Sequence, residues 1–85
     1  MPVADDIVAH IAANVRRLRL RAFLTQETLA EKAGVDLSYL QRVEWARMNL
    51  TVRKLALIAK ALQVSPSRLL RPARFSRPPK GRPRA

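Results

Sequence analysis

The side chains able to do chemistry are few, and their types favour recognition over catalysis. The 85-residue chain has no cysteine and a single histidine, His10, with no matched acid and nucleophile in a recognisable array. A thiolate zinc site is therefore impossible and a nucleophilic triad is not indicated. Gly34 and Gly81 are the only glycines and stand too far apart for a phosphate-binding loop. What remains is the stretch 25–44, TQETLAEKAGVDLSYLQRVE. With Leu40 and Val43 turned inward on a helix, Leu37, Ser38, Gln41, Arg42 and Trp45 face outward. Arg42 can give a bidentate pair to guanine O6 and N7, Ser38 can donate to or accept from several bases, and Leu37 can pack against a thymine methyl. Those residue types suit contact with base edges, and nothing among them points to an enzymatic step or a cofactor.

Those side chains need a frame, and the apolar spacing predicts one made of helices. Asp5 or Asp6 is expected to cap a first helix whose buried face is Ile7, Ile11, Val15, Leu18 and Ala22, with Arg16, Arg17 and Arg21 on the solvated side. Phe23 and Leu24 form a short apolar link. Thr25 then caps a second helix that turns Leu29, Ala30 and Ala33 inward. Gly34 ends it, because a tight angle between two helices needs positive φ, which glycine takes without steric penalty. Val35 drops into the core and Asp36 caps the third helix. A fourth starts at Thr51 with Leu55, Ile58, Ala59 and Leu62 on its apolar side, and a last turn opens at Ser65 with Pro66 in its first position. Two helices joined by a short turn containing glycine are a common way to set a helix in the DNA major groove.

Composition narrows the class. A 48% apolar content argues against a wholly disordered chain, while 5% aromatic residues and 2 glycines favour helices over a strand sandwich. No apolar run approaches the roughly 18 residues that a membrane span needs, and the acidic start does not resemble a signal peptide. A cytoplasmic protein with no membrane partner is expected. The formal charge is +11, from 17 basic and 6 acidic residues. Residues 71–85 hold six cations and no acid, so about half of the excess lies in that segment. Such a balance attracts a polyanion, and the helix pair makes double-stranded DNA the fitting one.

The order of VRRLRLRAFLTQETLAEKAGV, SYLQRVE and LALIAKALQVSPSRLL resembles the Cro and CI repressor type of helix-turn-helix domain, the XRE family, over residues 11–70. The resemblance implies an all-α, compact five-helix domain, placed at 1–70; residues 71–85, with four prolines, Gly81 and six cations, cannot bury enough apolar area to offset chain entropy and are expected to form a disordered basic Pro/Arg-rich tail. It departs from the family pattern after the third helix, where Trp45 and Ala46 follow Glu44 in place of a basic residue and glycine, and Leu50 stands where proline is common. By resemblance, Leu37, Ser38 and Arg42 fall at base-reading positions, with Tyr39 and Gln41 beside them. Gln26 falls where the family grips a phosphate, and Arg47, Asn49, Arg53 and Lys54 extend that grip. Tyr39 is as well placed to brace the helix as to touch a phosphate. Arg19 and Glu44 correspond to a partly buried ion pair between the first and third helices. Residues 49–52, NLTV, are similar to restriction-modification controller proteins.

The resemblance leads to a transcription regulator that binds a palindromic operator as a homodimer, its subunits meeting through the end of the fourth helix and residues 65–75, including Leu69, Leu70 and Phe75. An antitoxin that neutralises a partner toxin is the alternative within the family, and nonspecific nucleic-acid packaging is another. The end of the tail, Pro79 to Arg84, resembles an AT-hook core, which would carry Lys80, Arg82 and Arg84 along a minor groove.

Overall fold

A computed structural model describes residues 4–73, with side chains from residue 6 onward. Its elements are α1 (Ala4–Arg21), α2 (Gln26–Ala33), α3 (Leu37–Glu44), α4 (Val52–Leu62) and α5 (Pro66–Leu69), with no strand among the described residues. The remaining tail residues, Lys80, Arg82 and Arg84 among them, and Phe75 lie outside the described residues.

Helix starts follow the capping chemistry in part. Thr25 and Thr51 hold extended backbone angles, and their hydroxyls accept from the amides of Thr28 and Lys54 at 3.0 and 3.1 Å. Asp36 and Ser65 occupy the same position without a side-chain cap bond, and Pro66 pre-sets the first turn of α5. Asp5 and Asp6, expected as caps, lie within α1 instead.

The four longer helices end alike. Each is followed by one residue in the left-handed region: Phe23 (φ 59), Gly34 (φ 73), Ala46 (φ 60) and Gln63 (φ 63). The amide of the next residue then returns to a carbonyl five positions back. The bonds are Leu24 to Arg19, Val35 to Ala30, Arg47 to Arg42 and Val64 to Ala59, at 2.9–3.1 Å. This motif satisfies carbonyls that a helix end would otherwise leave without partners. Leu24, Val35 and Val64 then pack against the core.

Ile11, Val15, Leu29, Leu40, Val43, Leu55, Ile58 and Leu69 form the centre of that core, closed by Ala30, Ala33 and Ala59. Two expected members of the α1 face fall outside it, since Ile7 is 41% exposed and Ala22 is also exposed. The helix buries a whole turn in its middle instead. Ala12, Ala13 and Asn14 are covered as well as Ile11 and Val15, because α5 returns onto α1. Leu69, expected at a subunit contact, is fully buried within the chain's own core and is not available for one; Leu70 stays exposed. The Asn14 amide donates to the carbonyls of Leu69 and Arg71, each at 2.8 Å, tying the end of α5 to α1. One turn earlier His10 Nδ1 accepts from the Ala73 amide at 3.0 Å. His10 thus extends the same tie.

Candidate nucleic-acid interface

Helix α3 owes its orientation to a division of its surface. Leu40, Val43 and Glu44 are buried, while Ser38 and Arg42, one helical turn apart, are both exposed. Leu37 and Gln41 lie between those faces and are half-buried, with Leu37 packed against the core. Two of the three expected base-reading side chains are therefore open to solvent, and the third is partly committed to holding α3 down. Trp45 follows at the C-cap, 55% exposed, so its ring is not packed away beneath the loop.

Glu44 is the buried charge that ties the helix pair to α1. It is 1% exposed, and its carboxylate accepts from Arg19 Nε at 2.7 Å, Arg19 Nη2 at 3.0 Å and Gln26 Nε2 at 3.0 Å. The Arg19 pairing is two-pronged, the geometry that best compensates desolvation. Arg19 Nη1 also donates to the Leu24 carbonyl at 3.0 Å, so one guanidinium holds α3 and the approach to α2 together. Gln26 was expected at a phosphate. Its amide nitrogen is instead engaged with Glu44, which leaves one amide hydrogen and the exposed start of α2 on offer. Arg16, expected on the solvated face of α1, is half-buried and donates through Nη1 to the Glu44 carbonyl at 2.7 Å. Spacing along α1 could not show that bond, since it depends on the chain reversing over 28 residues.

Tyr39 is half-buried and packs against the core. Its hydroxyl is sealed from solvent without a completed hydrogen bond, and Lys54 Nζ lies 5.3 Å from the centre of its ring. Burial pushes the phenol above its ordinary value, opposed by the Thr51 backbone and by the charge of Arg42. Around this pair Arg47, Asn49 and Arg53 are exposed. Among the described residues no group of histidine and acid side chains could hold a metal, and no helix is long and apolar enough to cross a membrane.

Two helices hinged at a left-handed glycine, the second pinned by a buried ion pair and turned outward, define a helix-turn-helix domain. The chain belongs to the helix-turn-helix family HTH_3, whose model matches residues 15–69, within the span read from the sequence. It is 42% identical over 74 residues to the control protein C.SmaI of Serratia marcescens, covering 82% of this chain and 88% of that one. In structure it is similar to the restriction-modification controller protein C.AhdI from Aeromonas hydrophila, with a TM-score of 0.71 and 34% identity over 73% of this chain and 94% of that one. A TM-score of 0.69 and 33% identity relate it to the controller protein C.Esp1396I, solved as a tetramer with its natural 35 base-pair operator; 74% of this chain and 83% of that one are covered. The likeness to controller proteins read from residues 49–52 thus recurs over most of the chain.

Proposed function

We propose that this protein is a sequence-specific DNA-binding transcription regulator that recognises a palindromic operator as a homodimer. The observation that carries this is the outward pair Ser38 and Arg42 on a helix held at its far end by the buried Glu44. Side chains on a fixed axis can be presented to base edges in a repeatable register, and loose ones cannot. Ser38 and Arg42 read bases, with Leu37 at a thymine methyl. Gln41, Arg47, Asn49 and Arg53 contact the backbone, joined by the start of α2 at Gln26. Lys54 shares its charge between the Tyr39 ring and the nearest phosphate, while Tyr39 acts through the helix it supports. The described residues span 30 Å at most and hold one recognition helix. Two major-groove sites about 34 Å apart on one face of DNA thus need two copies. Beyond the domain, the basic segment that includes Lys80, Arg82 and Arg84 adds phosphate or minor-groove contact.

Selection of bound sites from random duplexes, repeated with Arg42→Ala, tests this reading. The expected outcome is a palindromic consensus that relaxes at one position per half-site in the variant. Operator affinity should fall by about 1–3 kcal/mol. Recovery of no common sequence by the unaltered protein would defeat it.

A further inference from the structure

The last carbonyls of α3 are satisfied in order. Gln41 accepts from Trp45, Val43 from Ala46 and Arg42 from Arg47. The Glu44 carbonyl has no such partner from the turn and is taken by Arg16 Nη1 at 2.7 Å. A cation at that end also complements the negative pole of the helix. Arg19 grips the same residue by its carboxylate. Two neighbouring arginines of α1 therefore hold one end of α3 at two points, side chain and main chain.

We infer that Arg16 is a positioning residue for operator recognition: it fixes the tilt of α3 and so sets sequence discrimination, without contacting DNA. This rests on the regulator reading above. Leu40 and Val43 seat the helix in the core, and the grip on its last carbonyl adds a fixed point at the end of its axis, which limits the remaining tilt. Ser38 lies six residues from Glu44, roughly 9 Å along the axis. A tilt of about 10° about the pinned end would move Ser38 by about 1.6 Å, more than the spread of about 0.5 Å over which N–H···O bonds keep their length. Arg17, the next residue along, is exposed and has no corresponding task.

The experiment compares Arg16→Met, which keeps much of the aliphatic stem, with the unaltered chain on a selected site and on a random duplex of equal length, across a salt series. The expected result is a fall of about tenfold in the ratio of the two affinities, with random-duplex binding and its salt slope unchanged. A merely structural loss would lower both affinities through the folded fraction and leave the ratio alone. Parallel loss on both duplexes, with the slope shallower by about 0.9, would make Arg16 a phosphate contact and overturn the inference. No change in either affinity would overturn it too.

A second measurement uses the unaltered protein and does not depend on the variant folding. Nitrogen-detected NMR should find rotation of the Arg16 guanidinium restricted in free protein and unchanged on adding the selected duplex. Free rotation until DNA is added would refute the clamp. If the unaltered protein itself shows no preference for the selected site, the regulator reading fails, while the guanidinium measurement still judges the clamp alone.

Discussion

Glu44 is where a single side chain decides most. A carboxylate 1% exposed is tolerable only because Arg19 and Gln26 supply three donors to it. Arg19→Met should lower the unfolding free energy by about 3–5 kcal/mol in chemical denaturation, since the survivor is a buried charge with one remaining side-chain donor. Adding Glu44→Leu to that variant should recover part of the loss, and a double variant less stable than the single would refute the charge as the cause. Tyr39 carries a pH signature of the opposite kind. Its phenol is raised above 10.0 by burial, so as pH rises past that value the unfolded chain gives up this proton before the folded one. The folded state then binds more protons, and stability contributed by Tyr39 is present below about pH 10 and lost above it. Tyr39→Phe should remove this alkaline component in urea titrations at pH 9 and 11. At neutral pH the change should stay within about 1 kcal/mol of neutral, because the hydroxyl is sealed from solvent with the Thr51 backbone nearby but no completed hydrogen bond.

At the scale of elements, the turns govern the angles between helices, and they obey one rule with four different residues. Gly34 takes its positive φ without strain, and a Cβ built there meets nothing within 4 Å. Gly34→Ala should therefore cost only the backbone penalty, about 1–2 kcal/mol. Ala46 adopts nearly the same angle while carrying that penalty, so Ala46→Gly should raise the thermal midpoint by a comparable free energy, less what glycine adds to the unfolded chain's entropy. Equal responses of the same sign at the two positions would refute the shared motif as the source of strain. The glycine made the Gly34 turn legible from residue type. Phe23, Ala46 and Gln63 carry no such mark, and their turns exist because tertiary packing favours them over local preference. Helix starts at Thr25 and Thr51, and the inward faces of α2, α3 and α4, were equally legible, since periodicity and caps are local properties. The burial of Ala12, Ala13, Asn14 and Leu69, and the bonds of Arg16, Gln26 and His10, were not. Each depends on contacts between residues 18 to 63 positions apart, which no short window of sequence contains. Ser38 and Arg42 could be seen facing outward for the converse reason: an inward pair, Leu40 and Val43, dictates the opposite side of a short helix.

Across the whole molecule the charge is divided at Glu44. All six acids lie between Asp5 and Glu44, where six cations balance them, and the remaining eleven cations follow with no acid. Glu44, the last acid, is itself neutralised by Arg19, so the loop after α3, α4, α5 and the final segment carry excess charge of one sign. On the proposed regulator reading, a field of that kind would draw DNA toward the protein whatever its sequence, and the α3 side chains would discriminate once contact is made. The two contributions should separate on truncation after Ala73, which removes Arg74, Arg77, Lys80, Arg82 and Arg84. Affinity for a selected site and for random duplex should fall together, leaving their ratio nearly intact. The slope of log affinity against log salt should become shallower by about 0.9 for each phosphate no longer neutralised. An unchanged slope would show that these five cations take no part. Flanking sequence then distinguishes how they act. Insertion of Lys80, Arg82 and Arg84 into a minor groove makes the loss on truncation larger beside A·T-rich flanks, whereas a purely electrostatic tether makes it the same beside any flank.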